Sequence, residues 1–131
     1  MECESKRIGR LIVPEIVTKA MAEGRHILLY ASLPKRVERS VELYCGNPEY
    51  KPALCRAVES IAQRLGRKKA EELIDQIDQD NYHDSVEYLL VNYYDPLYKY
   101  PNQPSEDYQF SVCTDDLNKA AEEIAHYVLN S

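Results

Sequence analysis

The sequence predicts an α/β fold that is rich in helix and contains a short parallel sheet. Residues 26–31 form a nearly continuous apolar run, typical of a strand that helices cover on both faces. Residues 108–113 alternate weakly and indicate a second strand. Elsewhere apolar residues recur with helical spacing. Because two strands cannot make an ordinary parallel sheet, we expect a larger fold or a partner to complete it.

Start and stop residues bound the predicted helices. Pro14 opens the first helix and Gly24 ends it. Ser32 offers an N-cap to the second helix, and Thr114 offers one to the closing helix. Gly66 is a stop signal between two of the remaining helices. Those remaining helices are predicted over residues 52–65, 67–77 and 82–93.

The domain organisation follows from this order of elements. We expect a single domain over residues 1–131, with a helical insert at about 48–94 and a final strand and helix at about 107–130. A turn is expected at Asp95-Pro96, followed by a surface loop over residues 98–107.

The net charge of −6 argues against a whole surface that binds nucleic acid, because phosphate contacts need lysine and arginine. Local basic patches remain open, although most such clusters simply face water. Three clusters occur, and their members are Lys6, Arg7 and Arg10; Lys35, Arg36 and Arg39; and Arg64, Arg67, Lys68 and Lys69.

Several classes of site have no signature in this sequence. Its four cysteines and three histidines are dispersed without zinc-binding spacing, so no metal site is predicted. It contains no G-x-x-x-x-G-K-S/T or other catalytic motif, so the catalytic residues stay unknown. Neither an apolar leader nor a run long enough to span a membrane is present, which favours a cytoplasmic protein without a membrane partner.

Two segments are more specific than the rest. Residues 2–10 place two acids beside three bases, and their plainer interpretation is a solvated chain terminus. Residues 89–98 read LLVNYYDPLY, which the plainer interpretation treats as a helix end whose tyrosines cover the edge of the core.

Together with Pro34 and the run 36–39, these segments resemble the C-terminal part of tRNA 2-selenouridine synthases. The family's versions read E-x-E-S-R/K-x-I-G and L-L-x-x-x-Y-D-P-x-Y, and their order and separation make the resemblance fairly specific. It covers residues 2 to about 100, and the last strand and helix suit the end of a P-loop kinase-like domain. The fold it implies is therefore a helix-rich, partial P-loop kinase-like domain.

The resemblance implies a reaction on tRNA. The family replaces sulfur by selenium in 2-thiouridine at the wobble position, through an S-geranylated intermediate. Selenophosphate and geranyl diphosphate are then the substrates, and tRNA is the partner. The family joins a rhodanese-like domain, which supplies a reactive cysteine, to a P-loop domain.

The resemblance also implies roles for individual residues. Glu2 and Glu4 would be Walker B-like acids that orient a magnesium ion or a water beside a phosphate. Arg36 and Arg39, which share a helix face, would bind a phosphate or diphosphate. The remaining candidates are Lys6 and Arg7 for the same anion and Arg10, Arg67, Lys68 and Lys69 for tRNA.

One departure from the family limits this expectation. The chain begins at Met1 within the expected Walker B strand and carries neither a Walker A loop nor a rhodanese-like domain. We therefore expect it to be inactive alone and to act as a C-terminal part or split subunit beside a rhodanese/P-loop partner.

Two alternatives stay open. One is a non-catalytic module that binds RNA or protein through the helices of residues 52–94, with the basic residues around Gly66 making salt-sensitive contacts. The other is a homo-oligomeric remnant of a P-loop kinase-like protein, which would pair its exposed sheet edges in a dimer.

Overall fold

The computed structural model describes residues 6–131, which divide into two compact units. Residues 6–30 and 103–131 form the sheet unit, and Ala31–Asn102 form the helical unit. The elements in chain order are β1 (Arg7–Ile8), β2 (Leu11–Ile12), α1 (Glu15–Glu23), β3 (Ile27–Tyr30), α2 (Leu33–Cys45), α3 (Lys51–Ser60), α4 (Ala62–Leu65), α5 (Arg67–Asp78), α6 (Tyr82–Leu89), α7 (Asp95–Tyr98), β4 (Phe110–Cys113) and α8 (Leu117–Leu129). The predicted α/β class, rich in helix with a short parallel sheet, is confirmed.

The parallel sheet consists of β3 and β4, with Ile27 opposite Phe110. Leu28 and Val112 are buried in this sheet. Leu29, on the other face of β3, is 51% exposed, so the prediction that helices cover both faces of this strand is wrong. Helix α8 packs on β4, where the ring of Tyr127 stacks on that of Phe110 with centroids 4.4 Å apart. Both predicted strands therefore form, and they pair with each other.

A β-hairpin at residues 7–12 was not predicted. Strands β1 and β2 pair antiparallel, with Arg7 opposite Ile12. Gly9 turns the chain between them at a φ of 59°, a conformation that residues with a side chain rarely adopt. Each strand has only two residues, which is too short for a period-two pattern to be recognised.

The helical unit is built around one apolar core. Its buried members follow one another at intervals of three or four along the helices, so each helix presents a single stripe. The core consists of Val58, Ala62, Ala70, Leu73 and Ile77.

The helix predicted over residues 52–65 is wrong in its continuity, because Ile61 leaves the helical conformation and separates α3 from α4. Next to the break, the Ser60 hydroxyl donates to the carbonyl of Ala57 at 2.7 Å. A serine that bonds the backbone in this way competes with the helical ladder. The sequence contains no glycine or proline there to signal it.

The turn predicted at Asp95-Pro96 is also wrong. The chain widens into a π-helical turn over Leu90–Tyr94 and then continues as α7. Proline lacks the N–H group that an unbroken helix would need, but it is well tolerated in the first turn of a new helical segment. The helical path therefore extends to Tyr98 before Lys99 ends it in the left-handed region.

The N-cap of the closing helix is Asp116 rather than the predicted Thr114. The carboxylate of Asp116 accepts from the N–H of Lys119 at 3.1 Å. Thr114 instead extends the sheet ladder, since its N–H and its hydroxyl both donate to the carbonyl of Tyr30, at 2.7 and 3.0 Å.

Gly66, the single residue between α4 and α5, has a φ of 88° and a ψ of 140°. Only glycine adopts this conformation without strain, so Gly66→Ala should lower the free energy of unfolding by about 1–3 kcal/mol. Urea denaturation followed by circular dichroism measures the change. The exposed Gln63→Ala is the control and should shift stability by less than about 0.5 kcal/mol; equal stability of both variants would contradict the expectation.

Candidate functional site

Arg36 and Asp95 form the best-defined polar contact of the helical unit. Arg36 lies in the first turn of α2, and Asp95 begins α7. Two hydrogen bonds join them, Nη1 to Oδ2 at 2.8 Å and Nη2 to Oδ1 at 2.5 Å. The side chains are only 17% and 15% exposed. A bidentate pair of this kind fixes the orientation of both groups as well as their charge. It joins the run 36–39 to the segment 89–98, two of the parts of the sequence that carry the family resemblance.

Tyr100 holds the same guanidinium from another side. The Arg36 Cζ lies 4.3 Å from the centroid of the Tyr100 ring, which is a cation–π contact. The Tyr100 hydroxyl accepts the N–H of Ala31 at 3.0 Å. The hydrogen bond to Asp95 raises the pKa of Arg36 most strongly, against the opposing effect of burial. Arg36 is therefore a fixed cation.

Sequence reasoning did not find the partners of Arg36. The sequence predicts a turn at Asp95 and a loop at Tyr100, and local periodicity cannot link either to Arg36, about 60 positions away. The motif around Asp95 was the one signal of a contact with Arg36. A half-buried acid among apolar and aromatic residues needs a cationic partner.

The contact with Asp95 reduces the number of N–H groups that Arg36, predicted to bind an anion together with Arg39, could offer to a ligand. Asp95 takes one N–H from each terminal nitrogen of Arg36, so a phosphate would have to use the remaining N–H groups. Arg39, one turn further along α2, is half-buried. Phosphate binding by these two residues stays a prediction.

Four tyrosines gather at the end of the helical path. Tyr94 meets Tyr93 edge to face at 5.0 Å and stacks nearly parallel to Tyr98 at 6.4 Å between centroids. Burial raises the pKa of Tyr94, and the neighbouring hydroxyls of Tyr93, Tyr98 and Tyr44 raise it further. We call Tyr44, Tyr93, Tyr94 and Tyr98 the tyrosine cluster.

An apolar cavity of about 80 Å³ opens beside Tyr94. Among its lining residues only Cys45, Tyr82, Ser85 and Tyr94 carry a polar side-chain group. The Ser85 hydroxyl lies 2.9 Å from Oε1 of Gln76, so it is satisfied within the protein. Such a cavity suits an apolar group. The complete lining is Cys45, Leu54, Ala57, Val58, Ile61, Ile77, Tyr82, Ser85, Val86, Leu89 and Tyr94.

Cys45 should react slowly with iodoacetamide, because burial raises the pKa of its thiol and the thiolate is the reactive form. Cys113 is exposed and serves as the internal control. Peptide mass spectrometry of the folded chain gives both alkylation rates. Urea should make the two rates similar; a Cys45 that is modified as fast as Cys113 in the folded chain would contradict its burial.

The predicted site residues near the start of the chain do not belong to the helical unit. Lys6, Arg7 and Arg10 are exposed in or beside the hairpin of the sheet unit. Glu2 and Glu4 lie outside the described residues. The roles predicted for these five residues therefore stay predictions.

The basic residues that begin α5 are largely engaged with acids. Arg67 pairs with Glu59, and its Nε lies 3.4 Å from Glu71. Lys69 pairs with Glu72 at 3.0 Å and also lies 4.3 Å from the ring centroid of Tyr88. Lys68, between them, is exposed. These pairs reduce the positive charge offered to RNA, and the predicted tRNA contact is untested.

Metal ligands do not converge anywhere in residues 6–131: no three side chains of the His, Cys, Asp or Glu type lie close enough to share an ion. The acids predicted to orient magnesium, Glu2 and Glu4, precede this part of the chain. Within the same part of the chain, each helix is too short or too polar to cross a membrane.

Comparison with known proteins places the chain in a family. The family model for the tRNA 2-selenouridine synthase AAA domain matches residues 1–130. A tRNA 2-selenouridine synthase of Hydrogenovibrio crunogenus is 30% identical over 125 residues, covering 81% of this chain and 35% of that protein. The synthase of Marinobacter nauticus is 28% identical over 126 residues, covering 76% and 34%. That of Shewanella frigidimarina is 29% identical over 133 residues, covering 82% and 36%.

The chain spans about a third of the length of these curated relatives. No solved structure matches it. The family match includes the last strand and helix, beyond the residues that carried the motif resemblance. The resemblance inferred from the motifs is thereby confirmed, and the chain belongs to the tRNA 2-selenouridine synthase AAA domain family.

Proposed function

We propose that this chain is the C-terminal part or a split subunit of a cytoplasmic tRNA 2-selenouridine synthase. It would act in sulfur-to-selenium exchange at wobble 2-thiouridine, with selenophosphate and geranyl diphosphate as substrates and a geranylated intermediate. The observation that carries this proposal is the family match over residues 1–130. The chain spans about a third of the length of its relatives, and in this proposal a rhodanese/P-loop part acts alongside it.

The division of labour within the chain follows from charge and position. Arg39, with the N–H groups of Arg36 that do not bond Asp95, would bind the phosphate of a substrate, while Asp95 and Tyr100 hold Arg36 in place. A fixed guanidinium costs less to order on binding than a mobile one, which supports this role.

The apolar cavity supports the geranyl part of the proposal. A geranyl group is a flexible hydrocarbon chain, and the cavity lining is almost wholly apolar. An apolar cavity of about 150 Å³ holds a benzene ring. The cavity of about 80 Å³ therefore has room for one end of such a chain, with the diphosphate remaining outside.

Complementation tests the overall proposal. The full chain is mixed with the N-terminal region of the Hydrogenovibrio crunogenus synthase that precedes the aligned segment, together with selenophosphate, geranyl diphosphate and tRNA containing 2-thiouridine. Conversion to 2-selenouridine, read by mass spectrometry of digested nucleosides, should occur only in the mixture. Arg39→Ala should reduce it, whereas Lys35→Ala, a neighbouring exposed cation of α2, should not.

The intact relative is the positive control for that assay. If it converts the tRNA while the mixture of two folded pieces that bind each other does not, the chain is not a working subunit of this reaction.

Thiol protection tests the cavity separately. Geranyl diphosphate should slow the alkylation of Cys45, which lines the cavity, and leave that of exposed Cys113 unchanged. Inorganic diphosphate is the matched ligand control, because it carries the charge without the hydrocarbon. Equal protection by both ligands, or by neither, would remove the cavity from the proposal.

A further inference from the structure

The tyrosine cluster presents aromatic surface to solvent. Tyr98 is 57% exposed, Tyr44 55% and Tyr94 39%. Side chains that only fill the core are covered, as those of Leu73 and Val37 are at 1% exposure. Tyr94 is the last residue of the π-helical turn and Tyr98 is the last residue of α7. Such π turns often occur at functional positions.

The geometry of the rings suits a planar ligand. Tyr94 and Tyr98 lie within 5° of parallel, so the outer face of Tyr98 continues the direction of their stack. A flat aromatic group laid on that face would extend the stack, which is how single-stranded nucleic acids bind to aromatic side chains. The phenol hydroxyls add neutral hydrogen-bonding groups beside the rings.

The charges around the cluster suit a polyanion. Asp95, the acid between Tyr94 and Tyr98 in sequence, is neutralised by Arg36. Arg64 donates to the Tyr93 hydroxyl at 3.4 Å, and Lys99, directly after Tyr98, is exposed. Cations beside stacking rings allow the phosphate backbone to be contacted while the bases stack.

We propose that the tyrosine cluster is a base-stacking surface for a single-stranded segment of RNA. The identity of the nucleic acid as RNA rests on the proposed function, whereas the stacking chemistry rests on the rings and charges described above. Unpaired bases can be splayed onto the rings, but those inside a duplex cannot.

A fluorescent base tests this directly. The full chain is titrated into a short single-stranded RNA that carries one 2-aminopurine, whose fluorescence falls when it stacks. We expect quenching with the single strand and little with the duplex of the same sequence. Tyr98→Ala and Tyr98→Leu should each weaken binding by about tenfold, since both lose the ring, and Tyr98→Phe should restore it.

Tyr50→Ala is the matched control. Tyr50 is 49% exposed in the same unit but lies in the 3₁₀ turn Pro48–Tyr50, outside the cluster. Its loss should leave RNA affinity unchanged. Circular dichroism of every variant separates a lost contact from a lost fold, and Tyr98→Leu keeps apolar bulk for that purpose.

The outcomes separate this inference from the proposed function. Absent quenching by the folded chain, or equal affinity of Tyr98→Ala and the parent, overturns the stacking surface even if complementation succeeds. Quenching that depends on Tyr98 supports the surface even if selenium exchange fails, and the chain would then act as an RNA-binding module.

Discussion

Replacing Asp95 by alanine should lower the free energy of unfolding of the helical unit by about 2–4 kcal/mol. The change leaves the Arg36 guanidinium, only 17% exposed, without its anionic partner. Removing one member of a fully buried pair costs about 3–5 kcal/mol, and the residual solvent access here reduces that figure. Urea denaturation followed by circular dichroism gives the value.

A second ion pair of the same helix provides the control. Lys35 and Glu38 lie 3.1 Å apart but are 42% and 54% exposed. Glu38→Ala should therefore change stability by less than about 0.5 kcal/mol. The contrast isolates burial as the cause, because both pairs involve α2.

A double-mutant cycle measures the coupling between Arg36 and Asp95. In an Arg36→Met background no cation is left behind, so Asp95→Ala should cost about 1–3 kcal/mol less than it does in the parent chain. Equal costs in the two backgrounds would show that Asp95 stabilises the start of α7 by itself, and the site built around Arg36 would have to be abandoned.

Leu73→Ala should lower the free energy of unfolding by about 2–5 kcal/mol, an effect as large as that of the ion pair. Leu73 is 1% exposed at the centre of the core, where Val58, Ala62, Ala70 and Ile77 surround it. Truncation removes apolar contacts and leaves a void that helices fixed at both ends cannot close. The same denaturation measurement applies.

Leu43→Ala removes the same atoms from a surface position. Leu43 is 66% exposed on α2, so its loss should stay within about 0.5 kcal/mol. A small effect at Leu73, or a large one at Leu43, would mean that the core of the helical unit is packed differently from the description above.

Local sequence signals predicted the elements whose causes are local. The parallel strands, the start of α2 after Ser32 and the boundary at Gly66 all came from residues within a few positions of one another. Residue patterns failed at two places where the backbone departs from a regular α-helix. Ile61 breaks a helix that has no breaker in its sequence, and the helical path runs through Pro96 because a π turn precedes it.

The features of the candidate site also fall into those that the sequence predicts and those that depend on distant contacts. Residue identity is enough to show that Arg36 and the segment around Asp95 belong to the motifs of one protein family, because the order of motifs and the family match do not depend on coordinates. The folded chain was needed to show that Arg36 contacts Asp95 and Tyr100, that an apolar cavity opens beside Cys45, and that tyrosines gather next to that cavity. These contacts join residues far apart in the chain, and no local pattern records which distant side chain fills a given space.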